Sequence, residues 1–159
     1  MNQLRQYASS LLAAAAFSTG LGLSAAGAAN LTVARSVDAD SLDAQKASTT
    51  QSLQVTNLIF DTMLTMGKDG SVHSGLASEW SMSDDGKTYS FTIRDGLKCH
   101  DGSIFDAAAA KKSLDRALDP ATLNPNLSAW GPITGSSVDG KALKVSLSEP
   151  YGPFASFLT

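Results

Sequence analysis

The sequence predicts a mixed α and β fold built around antiparallel strands. Five Asp-Gly dipeptides lie between short runs in which apolar and polar residues alternate. An Asp-Gly dipeptide between alternating runs is a strong hairpin signal, because both residues tolerate the positive φ of a tight turn. Other stretches carry apolar residues at helical spacing. The combination indicates an antiparallel sheet with helices packed against it.

The first 28 residues predict a secretory signal peptide. Arg5 is the only charged residue before position 31, and an apolar run at 11–23 is followed by small residues. A positive start, an apolar stretch too short to span a bilayer and an Ala-x-Ala ending are typical of exported precursors. We expect cleavage after Ala28, or after Ala29, and hence a periplasmic protein. The alternatives are an uncleaved anchor or a buried Ala-rich helix.

Three elements are predicted before the main sheet. Residues 31–35 have the composition of a short β-strand and are predicted to form the opening strand. A helix then begins within the polar segment 41–54 and continues to Met63, since apolar residues recur there at helical spacing. A short hairpin across residues 68–71 pairs 64–66 with a strand at Val72.

Two longer hairpins, turning at Asp85-Gly86 and at Asp139-Gly140, form the predicted sheet. Period-two alternation assigns one face of each strand to the core. The residues predicted on that face are Trp80, Met82, Tyr89, Phe91, Ile93, Leu143, Val145 and Leu147.

A helix is predicted between the two hairpins. Asp106 is expected to cap its first turn, and Asp119-Pro120 to end it. Its predicted buried residues are Ala107, Ala110, Leu114, Ala117 and Leu118. Its charged residues (Lys111, Lys112, Asp115 and Arg116) are expected to face solvent, with docking to a membrane permease as the alternative. A further apolar helix is expected at 153–158.

Composition and motifs exclude several classes of function. The chain is 43% hydrophobic with a net charge of −3 and no Lys/Arg cluster, which argues against nucleic-acid binding. Cys99 is the single cysteine, so no internal disulfide can form, and we expect a buried thiol. Cys99, His100 and Asp101 are consecutive and would alternate in direction, which disfavours a metal site. With no nucleophile elbow or phosphate loop after the leader, we expect a protein that is not an enzyme and needs no cofactor.

The middle of the chain resembles one large family, the extracellular solute-binding proteins (family 5) of peptide- and nickel-type ABC importers. The family pattern contains Leu-Ala-x-x-Trp, then Ser-x-Asp-Gly-Lys-Thr-aromatic-x-Phe-x-aliphatic-Arg, a His/Asn-Asp-Gly turn and a helix led by an acidic residue. The matching positions here are 76–80, 83–94, 100–102 and Asp106 onward. A weaker match covers the chain from about residue 31 to its end.

The resemblance implies a periplasmic binding protein-like fold whose full form has two lobes that close over a solute. Residues 29–159 would be an incomplete N-terminal lobe containing its antiparallel accessory subdomain, so that the sequence is an N-terminal fragment. The alternative is a small domain complete in itself. The implied function is capture of peptide-like solutes by a monomer that delivers them to the membrane subunits of an ABC permease. A single lobe is expected to bind weakly or not at all, and to show no melting shift when a solute is added.

The resemblance also indicates where the first lobe would meet the solute. It points to the loop before the first long helix and to the segment after the accessory helix. The residues implied as ligand-binding are Thr49, Thr50, Gln51, Ser52, Asn126 and Trp130. Hydroxyl and amide groups suit polar backbones, and Trp130 would supply a flat apolar wall. The alternative for each residue is a structural role, as a loop cap or a core tryptophan.

Other functions stay open at the level of the sequence. Nickel-type members of the family carry an Arg in the second segment, and none lies between Asp119 and Trp130 here, which favours peptides over nickel chelates. A periplasmic peptide sensor would have the same lobe. An exported enzyme would need a catalytic cluster that this sequence does not contain.

Overall fold

The chain folds around two antiparallel sheets. The structure is a computed structural model that describes residues 31–159. Residues 36–159 form one unit, and residues 31–35 belong to another. The predicted leader, residues 1–28, lies outside the described residues.

Three helices and six strands follow one another along the described chain. In chain order they are α1 (Thr50–Thr56), β1 (Leu64–Met66), β2 (Val72–Ser74), β3 (Ala77–Met82), β4 (Thr88–Ile93), α2 (Ala107–Leu118), β5 (Ile133–Asp139), β6 (Ala142–Leu147) and α3 (Phe154–Phe157). Two short 3₁₀ helices, Pro120–Thr122 and Leu127–Trp130, lie between α2 and β5. Strands β1 and β2 form the predicted short hairpin. Among the described helices, none is long and apolar enough to cross a membrane.

The larger sheet has the strand order β3-β4-β6-β5 and is antiparallel throughout. Phe91 of β4 pairs with Leu143 of β6, and Tyr89 pairs with Val145, so one face of the two central strands carries the core. The predicted alternation of β4 and β6 is therefore confirmed. Met82 is 55% exposed, contrary to prediction, because β3 is an edge strand that buries little beyond its first residue.

Helix α2 packs against this sheet and has the predicted ends. Asp106 Oδ1 accepts a hydrogen bond from the backbone N–H of Ala109 at 2.9 Å, which satisfies a free donor of the first turn. Ala107, Ala110 and Ala117 are buried as predicted, whereas Leu114 and Leu118 are half-buried. The helix ends before Asp119 and Pro120, since a proline disfavours a helical residue before it.

Helix α1 is shorter than predicted. It ends at Thr56 rather than Met63, and Leu58 beyond it is 84% exposed. Its buried residues are Ser52 and Thr56. The apolar spacing used for the prediction therefore does not mark the face that packs, because that face carries hydroxyl groups.

Two further expectations are wrong. Residues 31–35 form no strand, and their side chains are exposed. A strand needs a neighbouring strand to accept its backbone hydrogen bonds, and no described strand pairs with them. Cys99 is exposed rather than buried, since it begins a tight surface turn in which Gly102 N–H donates to Cys99 O at 2.9 Å.

Candidate functional site

The first predicted segment forms the start of helix α1. Thr49 has extended backbone angles, and its Oγ1 accepts a hydrogen bond from the backbone N–H of Ser52 at 3.2 Å. This is the usual geometry of a threonine N-cap. In the first turn of the helix, Thr50 is exposed, Gln51 is half-buried and Ser52 is completely buried.

Asp40 binds this segment from outside the helix. Its Oδ2 accepts hydrogen bonds from the hydroxyl of Ser48 at 2.5 Å and from the Ser48 N–H at 3.2 Å. Its Oδ1 accepts from the hydroxyl of Thr49 at 3.1 Å and also from that of Ser52. The hydrogen bonds from Ser48, followed by that from Ser52, hold the pKa of the Asp40 carboxyl far below its usual range.

Ser52 is a structural centre of this network. Its Oγ donates to the Asp40 carboxylate and accepts from the Asp40 backbone N–H at 2.8 Å. Because the side chain is buried and its hydroxyl group both donates and accepts a hydrogen bond, Ser52 has a structural role in the loop. Thr50 is exposed and Gln51 is half-buried, so both present polar side-chain surface at the start of α1.

Arg116 of helix α2 binds the chain just before this segment, at Asp43 and Gln45. Its Nη1 donates to Asp43 Oδ1 at 3.1 Å and to Gln45 Oε1 at 2.8 Å, and its Nη2 donates to Asp43 Oδ2. Gln45 Nε2 donates to the backbone oxygen of Ser113 at 2.9 Å. The Arg116 guanidinium lowers the pKa of Asp43. Arg116 is thus not part of a simple solvated face, as the sequence indicated, but a link between two parts of the chain.

Asn126 brings the second predicted segment against the first. Its Nδ2 donates to the backbone oxygen of Ala47 at 2.9 Å, and its own backbone N–H donates to Asn124 Oδ1 at 3.0 Å. Ala47 is buried and directly precedes the 48–52 segment. The two segments, which are far apart in sequence, therefore lie side by side.

Trp130 lies at the end of the 3₁₀ helix Leu127–Trp130 and is half-buried. It lines a cavity of about 550 Å³ whose other walls include Phe105 and Leu114, and whose polar lining includes Asp43 and Arg116. Neither the 49–52 segment nor Asn126 lines this cavity. Trp130 therefore provides an apolar surface next to the Asp43–Arg116 pair, separate from the hydroxyl groups of α1.

The arrangement offers groups that suit the binding of a polar solute. Hydroxyl and amide groups can exchange hydrogen bonds with a polar solute, and an aromatic wall can cover its apolar part. Within residues 31–159, no three His, Cys, Asp or Glu side chains lie close enough together to hold a metal ion.

Sequence reasoning missed Asp40, Asp43 and Gln45. A run of hydroxyl residues at 48–50 could have suggested a nearby carboxylate, since clustered hydroxyl donors need an acceptor when they are packed together. No local signal identifies which of the preceding acidic residues serves, because the bond between Asp40 and Ser52 spans twelve positions.

Known proteins are similar to this sequence. Residues 71–159 match the model of the bacterial extracellular solute-binding proteins, family 5 (middle). The chain is 34% identical over 149 residues to the glutathione-binding protein GsiB of Escherichia coli O6:K15:H31, and the match covers 92% of this chain and 29% of that protein.

Two solved structures show the same likeness. The murein tripeptide binding protein MppA of Escherichia coli aligns with a TM-score of 0.67 and 27% identity, covering 76% of this chain and 27% of MppA. NikZ from Campylobacter jejuni, in complex with Ni(L-His), aligns with a TM-score of 0.62 and 28% identity, covering 65% of this chain and 21% of NikZ. The chain thus spans less than a third of the length of each of these relatives. It belongs to the bacterial extracellular solute-binding proteins of family 5.

Proposed function

We propose that this protein captures peptide-like solutes in the periplasm and delivers them to the membrane subunits of an ABC permease. The observation that carries the proposal is the hydrogen bond from Asn126 to Ala47, which joins the two polar segments into one surface. Family membership supports it, and so do the relatives named for glutathione and for a murein tripeptide, which are both small peptides.

The residues of the proposed site have two kinds of role. Thr50 and Gln51 would exchange hydrogen bonds with the amide groups of the solute. Trp130 would cover an apolar part of a solute that extends into the cavity lined by Asp43 and Arg116. Thr49 and Ser52 would hold the surface in shape through their hydrogen bonds to Asp40, and Asn126 through its hydrogen bond to Ala47. We propose this set of six residues as the part of the solute site contained in this chain.

Transport would follow from closure of two lobes around the solute. A solute that contacts both lobes stabilises the closed form, and the closed form is then presented to the permease. A leader at residues 1–28 would bring the monomeric protein into the periplasm. We accordingly expect weak binding wherever a solute meets one lobe alone.

The two tryptophans of the chain allow a direct test of the site, because each can be left as the single tryptophan. Trp80→Phe leaves Trp130 as the reporter, and Trp130→Phe leaves Trp80 on strand β3 as the matched control. On titration with reduced glutathione or trialanine, we expect the fluorescence of the Trp80→Phe variant to change and saturate. The Trp130→Phe variant should show no change.

The same titration, followed by the backbone amide signals of the ¹⁵N-labelled chain, locates the binding surface. Shifts at residues 49–52 and at 126–130 support the proposal, and a solute that binds at millimolar concentration is still detected. Shifts confined to the β1–β2 hairpin, or none with either peptide, would overturn it.

A nickel chelate is the second candidate solute, because the NikZ structure contains Ni(L-His) and aligns with most of this chain. The absence of Arg between Asp119 and Trp130 argues against an anionic chelate. Ni(L-His) added in place of the peptide distinguishes the two solutes. Saturating shifts at the same amides with the chelate, and none with glutathione, would replace peptides by chelates in the proposal.

A further inference from the structure

We infer that Asp40 is a positioning residue of the solute site: its carboxylate sets the conformation of residues 48–52 and so the direction in which Thr50 and Gln51 are presented. This inference rests on the proposed function, since it assigns a role within the same site. Asp40 itself lies eight residues before the segment and outside helix α1.

The geometry is a convergence of three hydroxyl groups on one carboxylate. Ser48 binds Oδ2, while Thr49 and Ser52 bind Oδ1. Both carboxylate oxygens are therefore used, and Thr49 and Ser52 directly flank Thr50 and Gln51 in the sequence. Because Thr49 and Ser52 are fixed, the backbone of the two residues between them has little freedom.

The contact is reciprocal, so hydrogen bonds in both directions tie the two chain segments together. While the carboxylate accepts from the segment, the backbone N–H groups of Asp40 and Ser41 donate to Ser52 Oγ at 2.8 and 3.3 Å. The central side chain, Ser52, has no exposed surface. If the Asp40 carboxylate is replaced, water therefore cannot take its place as the acceptor for Ser52 unless the loop opens.

A carboxylate fits this position better than the amide of the same shape. Ser48 donates to Oδ2 through both its N–H and its hydroxyl group, and Oδ1 receives two further hydroxyl donors. An Asn amide nitrogen cannot accept a hydrogen bond. In Asp40→Asn, the donors that bind the carboxylate oxygen replaced by that nitrogen are therefore left without an acceptor. Asp40→Glu keeps both acceptors but displaces them by one methylene.

Asp38 is the matched control. It is also an exposed aspartate in the same stretch, and among the described residues its carboxylate accepts only from the adjacent Ala39 N–H, at 2.9 Å. Asp38→Asn changes the net charge by the same amount as Asp40→Asn without touching the hydroxyl network. Ser48→Ala serves as a milder variant, since it removes one exposed hydroxyl donor and keeps Asp40.

The first readout is amide hydrogen exchange without solute. The N–H groups of Ser52 and Leu53 are bonded to the side chain and the backbone oxygen of Thr49, so they report the order of the segment. We expect faster exchange at both amides in Asp40→Asn and in Ser48→Ala, partial recovery in Asp40→Glu and no change in Asp38→Asn. Exchange in strands β4 and β6 should stay the same, which separates positioning from loss of global stability.

The second readout is the affinity for reduced glutathione, measured by the amide-signal titration. In Asp40→Asn the solute must order residues 48–52 as it binds, because the hydrogen bonds that order them beforehand are weakened. One hydrogen bond to a charged acceptor corresponds to about a factor of ten in an equilibrium constant, so we expect Kd to rise about tenfold in Asp40→Asn and to stay unchanged in Asp38→Asn. Unchanged exchange and Kd in Asp40→Asn would overturn the inference, as would an equal loss in Asp38→Asn. A wild-type chain that binds no peptide would instead overturn the proposed function, and the exchange comparison alone would then decide whether Asp40 orders the segment.

Discussion

Asn126 Nδ2 donates a hydrogen bond to the backbone oxygen of Ala47 at 2.9 Å, across 79 positions of sequence. Ala47 has no exposed surface, so its oxygen depends on a partner from within the protein. Helices α1 and α2 and strands β1 to β4 lie between the two residues along the chain. One side-chain amide thus joins the two segments that the family resemblance assigns to the solute.

Replacement of Asn126 by Ala should lower both stability and affinity. The variant leaves a buried carbonyl oxygen without its donor, and such a loss costs about 1–3 kcal/mol. We expect the free energy of unfolding in urea to fall by that amount and the affinity for glutathione to fall with it. Asn126→Asp should be at least as damaging, since a carboxylate has no hydrogen to donate.

Ser128→Ala is the control for this prediction. Ser128 lies two residues further along the same segment and is exposed, so its replacement should change the free energy of unfolding by less than about 0.5 kcal/mol. If Asn126→Ala were as stable as Ser128→Ala, the bond to Ala47 would not hold the segments together.

Gly131 should tolerate no side chain, because two separate constraints apply to it. Its φ is 82°, and a Cβ atom there would lie 2.5 Å from Cδ1 of Tyr151. We expect Gly131→Ala to destabilise the chain by about 1–3 kcal/mol from the backbone alone, with a further cost from the clash. Because Gly131 directly follows Trp130, the tryptophan fluorescence of the native state should change as well.

Gly140→Ala separates the two causes. Gly140 also has a positive φ, of 58°, but a Cβ atom there would meet nothing within 4 Å. The variant should show the backbone cost without the steric cost, as measured by urea unfolding. Equal losses of unfolding free energy in the two variants would mean that the Tyr151 side chain moves away from the added methyl group at no measurable cost.

The Arg116–Asp43 pair should contribute to stability in a pH-dependent way. Arg116 lowers the pKa of Asp43 in the folded chain, so the contribution is fully present above the unfolded value, which is about 3.9. It is lost as the pH falls through the lower folded pKa. We therefore expect Arg116→Gln to lower the melting temperature at pH 7, with a difference from the wild type that shrinks as the pH is brought below about 4.

Lys112→Gln removes a positive charge from the same helix and serves as the control, because Lys112 is exposed and forms no ion pair among the described residues. Melting curves from pH 2.5 to 7 at low salt compare the two variants, since salt screens surface pairs. A difference for Arg116→Gln that stays constant over this range would exclude Asp43 as its origin.

The sheet and helix α2 could be predicted because their sequence period coincides with their burial. Tyr89, Phe91 and Ile93 alternate in the sequence and are all buried, and Ala107 and Ala110 lie on the face of α2 that packs. In such elements the apolar pattern and the packed face are the same set of residues. The positive φ at Gly86 and Gly140 likewise follows from the Asp-Gly turns.

Helix α1 and its surroundings could not be predicted in the same way. The packed face of α1 carries Ser52 and Thr56, whose hydroxyl groups are satisfied by Asp40 and by the Leu53 backbone oxygen. A polar residue looks solvent-facing in any sequence pattern until its partner is known. The resemblance could point to Asn126, but it could not indicate that Ala47 is its partner.

Phe154 should be the residue through which helix α3 is held to the sheet. Its side chain is 1% exposed, and the centre of its ring lies 4.8 Å from that of Tyr89 and 6.4 Å from that of Phe91. Both partners are on β4, so truncation opens a cavity at the centre of the core. We expect Phe154→Ala to lower the free energy of unfolding by about 3–5 kcal/mol.

Phe157→Ala is the matched control, because it removes the same side chain from the same helix. Phe157 is 44% exposed and stacks on Tyr151 with ring centres 6.1 Å apart. A half-exposed aromatic pair contributes about 0.5–1.5 kcal/mol, so urea unfolding should show a much smaller loss than for Phe154→Ala. Equal losses would contradict the prediction and would mean that α3 is held along its whole length. The hydrogen bond from the Leu64 N–H to the backbone oxygen of Leu158 would then be a further contact that holds this end of the chain.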